Sequence, residues 1–325
     1  MNVAIIGCGL IGHKRANALA GCRLVACADS IRERAEELAR KCSGVEVVPD
    51  WRGVVERPDV DIIIVSTSHD VLSEVTIASL QAGKHVLVEK PAARSVSELD
   101  LVIDAAEKSK TLVRVGFNHR YHPAFIKAME IVASGEMGQL MFIRGRYGHG
   151  GRIGYDKEWR AVKELSGGGE LMDQGVHLID LARIFLGDFH DVQGAAHTYF
   201  WNMPVEDNGF MLLKTTMKQV AFLHASWTEW KNTFSFEIYG KEAKIDISGL
   251  GGSYGVERLA YYKMLPQMGP PETVIWEYPG SDNSLEVEFA EFVEDIRLGR
   301  QPSAGLNDAR ATLEIINKIY KESGL

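Results

Sequence analysis

No apolar run in this sequence is long enough to cross a bilayer, which takes about 20 consecutive residues, so no membrane partner is expected. Cysteine is scarce. The four are Cys8, Cys22, Cys27 and Cys42, all near the N-terminus and at spacings that match no zinc motif. Free buried thiols in a reducing compartment are the simplest account of them. The ten histidines are scattered, and none forms H-E-x-x-H or a comparable ligand pair, so no metal site is expected. Positive charge is not in excess. The net charge of −8 argues against a general nucleic-acid surface. No basic stretch followed by an apolar one precedes the first strand pattern, so no leader is expected and the reading is a cytoplasmic protein. Internal repeats and low-complexity segments are also missing.

What is present is an ordinary globular composition, 46% hydrophobic over 325 residues, a length that suits two domains. The chain opens on an apolar run that ends in Gly7-Cys8-Gly9-Leu10-Ile11-Gly12, and a helix-like segment at 14–20 follows. That order is what a dinucleotide site requires. Gly7 allows the tight turn, Gly9 lets backbone approach a pyrophosphate, and Gly12 lets helix and strand pack closely. Amide groups at the helix start, Leu10 and Ile11 among them, then face the phosphates. A second strand pattern at 24–28 ends at Asp29, where the fingerprint expects an acid. A carboxylate there accepts from the ribose hydroxyls of NAD and repels the 2′-phosphate of NADP. NAD is therefore expected over NADP, with Arg32 and Arg34 read as solvated helix positions.

Strand patterns at 3–6, 24–28, 45–47, 61–66, 85–89 and 112–116 alternate with helical ones at 32–41, 71–82 and 96–108. This is the rhythm of a parallel sheet covered on both faces. Ligands bind such sheets beyond the carboxyl ends of the strands. The residues to inspect are therefore 7–12, Asp29, 66–69, 89–91 and 117–120. Past about residue 120 the rhythm changes. Helices at 123–133 and 169–186 and strands at 140–147, 192–200, 210–216, 220–227, 234–239, 244–247, 256–262 and 273–278 are expected, with closing helices at 285–298 and 307–322. Segments 148–154, 250–255 and 265–271 read as loops. Alternation at 234–238 suits an antiparallel sheet with one packed face. The fold class is α/β, with an N-terminal Rossmann doubly wound parallel sheet over 1–120 and a C-terminal α+β domain over 121–325. The second domain carries a large, mostly antiparallel open sheet.

Three further blocks carry a resemblance. They are Ala82-Gly83-Lys84-His85-Val86-Leu87-Val88-Glu89-Lys90-Pro91, Gly116-Phe117-Asn118-His119-Arg120-Tyr121, and the run from Gly167 through Gly168, Gly169 and Asp173 to His177. With Trp159-Arg160, they make the chain resemble the glucose-fructose oxidoreductase and inositol dehydrogenase family (Gfo/Idh/MocA) along essentially its whole length. The resemblance implies that Lys90, Asp173 and His177 form a reaction centre. It implies cofactor contacts by Glu89, Asn118, Trp159 and Arg160. In many relatives Thr-Pro-Asn stands near Ser66-Thr67-Ser68-His69; Thr67 matches, and Ser66 and His69 are carried as cofactor candidates. Residues four apart share one helix face, so Asp173 is expected to orient His177, leaving its other ring nitrogen as a base. Lys90 is a point charge suited to a growing alkoxide. Whether Lys90 or His177 moves the proton stays open.

The glycine-rich stretch 147–155 is a candidate wall for a sugar or polyol substrate, with Tyr147, His149, Arg152 and Tyr155 as its side chains and Arg120 nearby. Arg152 suits a phosphate or carboxylate on that substrate. The expected function is hydride transfer between nicotinamide and a secondary alcohol or ketone of a sugar, nucleotide sugar or cyclitol. A glycosidase that oxidises transiently with held NAD, and a non-catalytic NAD-binding regulator, are the alternatives. By analogy with the family, a homodimer or homotetramer through the C-terminal sheet is expected, with Trp227 and Trp230 on its broad face.

Overall fold

The computed structural model describes residues 1–267 and 269–325; Met268, in the loop expected over 265–271, lies outside the described residues. The chain divides into two compact units. The first holds Met1–Phe117, Glu164–Gly167 and Leu285–Leu313, and the second holds Asn118–Lys163, Gly168–Ser284 and Glu314–Leu325.

The first unit is built on six parallel strands, β1 (Asn2–Ile6), β2 (Arg23–Ala28), β3 (Glu46–Val47), β4 (Ile62–Val65), β5 (His85–Glu89) and β6 (Val113–Gly116). Their order is β3-β2-β1-β4-β5-β6, and the switch point between β1 and β4 is where such sheets bind ligands. All four residues of β4, Ile62–Val65, are buried, as a strand covered on both faces requires. The helix Arg32–Lys41 buries Ala35 and Leu38. The helix Val96–Lys108 is capped by Ser95, whose hydroxyl accepts from the Glu98 amide at 3.2 Å.

Three differences from the sequence reading are informative. The first helix runs Leu10–Ala16 rather than over 14–20, because the glycine turn leads straight into it and Gly12 lies inside it. The helix Trp51–Val55, started by Asp50, was not expected; five residues are too few to show a period. A single cut near residue 120 is corrected as well. The helix Ser284–Leu298 places Phe289, Phe292 and Val293 in one core with Val3, Ile5, Leu24 and Ile64. Its Glu288 and Asp295 also receive the fully buried guanidinium groups of Arg15 and Arg114, both at 2.5 Å. Burying such charges demands a partner, so this late helix is held to the first unit.

The second unit carries β7 (Leu140–Gly148), β8 (Asp191–His197), β9 (Asn208–Lys214), β10 (Val220–Ser226), β11 (Thr233–Gly240), β12 (Ala243–Ser248), β13 (Glu257–Lys263) and β14 (Glu272–Tyr278). They form one sheet in the order β14-β13-β12-β11-β7-β10-β9-β8. Only β7 and β10 pair in parallel. Burial along β11 alternates without a break, as the alternation of its sequence predicts. The helices Pro123–Ser134 and Val176–Leu186 pack on the sheet. The first has proline at its start and Gly135 at φ 81° as its C-cap.

The helix expected over 169–186 is two pieces. A π-helical turn, Leu171–Gly175, precedes the α-helix Val176–Leu186. Trp227 is not on the broad face of the sheet. It is fully buried beside Tyr155 and Val205, and Trp230 is 66% exposed. Trp227 continues the parity of the buried Ala221, Leu223 and Ala225 of β10, opposite to the exposed Phe222, so alternation turns it inward.

Candidate active site

In the first unit the glycine turn forms a cradle. Gly7 has φ 96°, and a Cβ on it would lie 2.4 Å from the Ser66 carbonyl oxygen. A Cβ on Gly12 would lie 2.1 Å from the Gly7 oxygen, whereas nothing stands within 4 Å of that position on Gly9. Two glycines thus permit close packing, and the middle one leaves bare backbone facing open space. That is the shape a pyrophosphate needs, and the residues present fit NAD. The Ser66 hydroxyl donates to the Gly7 carbonyl at 2.7 Å, tying the end of β4 to the turn. Leu10, 75% exposed, and Ile11 follow at the rim.

Asp29 is fixed by backbone. One carboxylate oxygen accepts from the Cys8 amide at 2.7 Å and the other from the Ile31 amide at 2.8 Å. Each oxygen keeps a lone pair for a further donor. The exposed Arg32 pairs with Glu36 at 2.8 Å on its own helix. After β4, Thr67 donates to the Ser68 carbonyl at 3.0 Å. His69 is not a rim residue. It is 5% exposed, with Nδ1 at 2.8 Å from the Ser166 carbonyl oxygen, an anchor for the short segment Glu164–Gly167.

Lys90 follows β5 in a turn closed by the Ala92 amide donating to the Glu89 carbonyl at 2.9 Å, and the Lys90–Pro91 peptide is cis. Glu89 receives Nε of the buried Arg15 at 2.7 Å. The strand end that carries Lys90 is thereby pinned to the helix that leaves the glycine turn.

In the second unit, Asp173 lies in the π-helical turn and His177 in the first turn of the α-helix after it. π-turns recur at functional sites because they re-aim side chains. Arg160 donates from Nε to Asp173 at 3.1 Å and lies over the Trp159 ring at 4.6 Å. The His177 imidazole, 4% exposed, stacks on His119 with centroids 3.7 Å apart and planes 14° apart. Tyr147 stands edge-on to His177 at 6.5 Å and tilted against His119 at 5.3 Å. Its phenol is held well above its ordinary pKa by burial. Tyr254 beside it, which accepts from Gln174 at 3.2 Å, is pushed up to about 12 for the same reason. Both are therefore neutral hydroxyls at working pH.

His149 accepts from the Gly151 amide through Nδ1 at 2.9 Å, so its neutral form carries the proton on Nε2. Burial pushes its pKa below the usual range, and burial pushes the Tyr155 phenol up; charge from Asp173 and Arg160 acts on both rings. These two are neutral donors beside an ionic pair. Arg120 is different. Its Nε donates to Asp180 at 2.8 Å and its NH2 to the other oxygen, so the expected substrate contact gives way to a buried bidentate pair. Arg152 is 71% exposed in its side chain and pairs with Glu158 at 2.5 Å. Asn118 donates to Ser284 at 2.9 Å and lies 3.2 Å from Nδ1 of His119.

Two residues the sequence reading passed over matter here. His119 stood inside a quoted block, but only stacking on His177 gives it meaning. Glu206, fully buried, accepts from the Gly169 and Leu171 amides at 2.9 Å each and from the Tyr320 hydroxyl at 2.7 Å. A Cβ on Gly168 would lie 2.0 Å from that hydroxyl, and one on Gly169 1.9 Å from the Glu206 carbonyl. The glycine run before Asp173 is thus a packing requirement. Among the described residues, no group of three or more His, Cys, Asp or Glu is placed to hold a metal ion, and no helix is long and apolar enough to cross a membrane.

Residues 1–117 match the oxidoreductase family with an NAD-binding Rossmann fold, and residues 125–246 match the GFO/IDH/MocA C-terminal domain. Levoglucosan dehydrogenase of Pseudarthrobacter phenanthrenivorans is 29% identical over 66% of this chain, a match that spans 58% of that relative's length. Inositol 2-dehydrogenase of Salmonella typhimurium is 26% identical over 93% of this chain and 88% of its own. A solved levoglucosan dehydrogenase in complex with NADH and L-sorbose superposes with a TM-score of 0.88 at 24% identity, covering all of this chain and 97% of that one. With a cradle that fits NAD in one unit, an aspartate on a π-turn and a histidine on the helix after it in the other, and family matches over both stretches, the chain belongs to the GFO/IDH/MocA family of NAD-binding oxidoreductases.

Proposed function

We propose that this chain is an NAD-dependent dehydrogenase that oxidises a secondary alcohol of a sugar, sugar derivative or cyclitol. The observation that carries this reading is the buried His177 imidazole, stacked on His119 beside the Asp173–Arg160 pair, in a chain whose other unit fits NAD. When bound, NAD supplies the hydride acceptor, the nicotinamide ring. Lys90 donates to the substrate hydroxyl and stabilises negative charge on its oxygen. His177 takes the hydroxyl proton as general base. Asp173, held by Arg160, has the role of orienting that imidazole. His149 and Tyr155 donate to further hydroxyls of the substrate. The test is a panel of sugars, polyols and nucleotide sugars read by NADH absorbance; turnover with a free sugar or polyol supports the reading. Binding of NAD without turnover on any of them overturns it.

NAD is the proposed cofactor rather than NADP. The Asp29 carboxylate is held by two backbone amides at the end of β2, the position at which the fingerprint reads the ribose, and Arg32 is engaged by Glu36. Steady-state kinetics with both should give a kcat/KM at least about tenfold higher for NAD, since one unrelieved like-charge contact costs 1.4 kcal/mol or more. Equal efficiency would remove the proposal. We also infer self-association through the face of the second unit's sheet that carries Phe222 and Ile275, 51% and 47% exposed and in one register row. Light scattering should give a multiple of the chain mass; a monomer at working concentration contradicts this.

A further inference from the structure

The rings around His149 continue outward. Trp227 is fully buried, stands edge-on to Tyr155 at 4.8 Å, and its indole N–H meets no acceptor among the described residues. Tyr155 touches Trp201 at 5.9 Å, Trp201 touches Phe200 at 5.3 Å, and Phe200 stands edge-on to Trp230 at 4.6 Å. The last two are 57% and 66% exposed. An unbroken run of aromatic rings therefore leads from the neighbourhood of Asp173 to solvent.

The outer end is built rather than incidental. Trp230 has φ 56°, a left-handed conformation that a bulky residue adopts only when its surroundings impose it. Gly150 allows it, since a Cβ there would lie 3.0 Å from the Trp230 Cα. A Cβ on Gly151 would lie 2.5 Å from the Trp201 ring. The loop read from sequence as a substrate wall is glycine-rich at 150 and 151 because it is seated on these rings. Residues held in such sparsely populated backbone conformations cluster at active sites and ligand clamps. The chemistry changes along the run. At its inner end stand hydroxyl partners, Nε2–H of His149, the Tyr155 hydroxyl and the Trp227 N–H. At its outer end are flat apolar faces, which suit the C–H face of a pyranose.

We infer that the substrate has two rings: the one oxidised lies against His149 and Tyr155, and a second sugar ring stacks on Phe200 and Trp230. The class is a glycoside or disaccharide rather than a free monosaccharide. This rests on the sugar-dehydrogenase reading above. A second copy of the chain is the competing occupant of the exposed rings.

The experiment compares glucose, galactose and mannose with cellobiose, lactose and mannobiose, using the full-length wild type, Trp230→Ala and Phe200→Ala with NAD. In the wild type, kcat/KM for at least one two-ring sugar should exceed that for its single-ring counterpart about tenfold. Each substitution should lower that ratio by about tenfold. Equal ratios in wild type and variants overturn the proposal. So does a drop in oligomer mass for Trp230→Ala with the ratio unchanged, which assigns the rings to a second copy. If no sugar reduces NAD, the dehydrogenase reading fails, and the rings are tested apart from it by titrating the same sugars against tryptophan fluorescence. Quenching by disaccharides alone, lost in Trp230→Ala, supports a two-ring ligand, and no difference between the two classes overturns it.

Discussion

Lys90→Met is expected to lower kcat by about 10²–10³-fold and to leave the Kd for NAD within about twofold. Methionine keeps the length of the side chain and removes the ammonium. On the proposed mechanism, what is lost is a donor to an oxygen that becomes negative only as hydride leaves, and removing one such donor has effects of this size. Lys90 sits in a closed turn after β5, and Glu89 beside it is bound to Arg15. The substitution therefore leaves the pinned strand end in place. His177→Ala should lose about 10²–10⁴-fold, the range for a positioned general base. If both act on one hydroxyl, the double variant falls little further than the worse single one. Fluorescence titration with NADH and steady-state kinetics check both. Turnover near wild type in either variant removes that residue from the chemistry.

Glu206→Gln is the second large effect. The carboxylate accepts from two backbone amides and one phenol, and burial raises its pKa. Glutamine has one acceptor oxygen and brings two donors, so at least one buried amide at the head of the π-turn loses its partner. An orphaned buried donor costs about 1–3 kcal/mol. The consequence for activity comes through position. The Asp173 amide donates to the Gly169 carbonyl at 3.0 Å, so a shift at Gly169 moves Asp173 and the start of the helix carrying His177. Displacement by about 1 Å at a reacting group reduces rate about 10²-fold. The expected result is a lower Tm with kcat down about 10²-fold and an unchanged Kd for NAD, because Glu206 belongs to the second unit. Thermal denaturation and steady-state kinetics read it; wild-type kcat would show that the clamp does not position the site.

The nucleotide half was legible in the sequence because its requirements are local. A strand, a glycine turn and an acid at the next strand end lie within 30 residues, and Gly7, Gly12 and Asp29 meet the neighbours that the spacing implies. The strands of the second unit were legible for the same reason, since alternation is a nearest-neighbour property. What stayed hidden depends on distant partners. Periodicity across Gly169–Leu186 reads as one helix, and nothing local marks the π-turn at Leu171–Gly175. Arg120 looked available until Asp180, 60 residues on, closed its donor fork. Trp227 looked like a surface residue because pattern alone does not tell which face of a strand is packed; it shares the parity of Ala221, Leu223 and Ala225, all buried. The glycines at 150 and 151 suggested a wall for a ligand, and those at 168 and 169 carried only the family resemblance. Their actual neighbours are Trp230, Trp201, Tyr320 and Glu206, all remote in sequence.

The most direct test is a crystal structure of the full chain with NADH and an oxidisable sugar or polyol. The account predicts one substrate oxygen within about 3 Å of both the Lys90 ammonium and an imidazole nitrogen of His177, with its carbon facing the nicotinamide. A well-ordered substrate whose reacting oxygen is held by other side chains, with Lys90 or His177 out of reach, would contradict it.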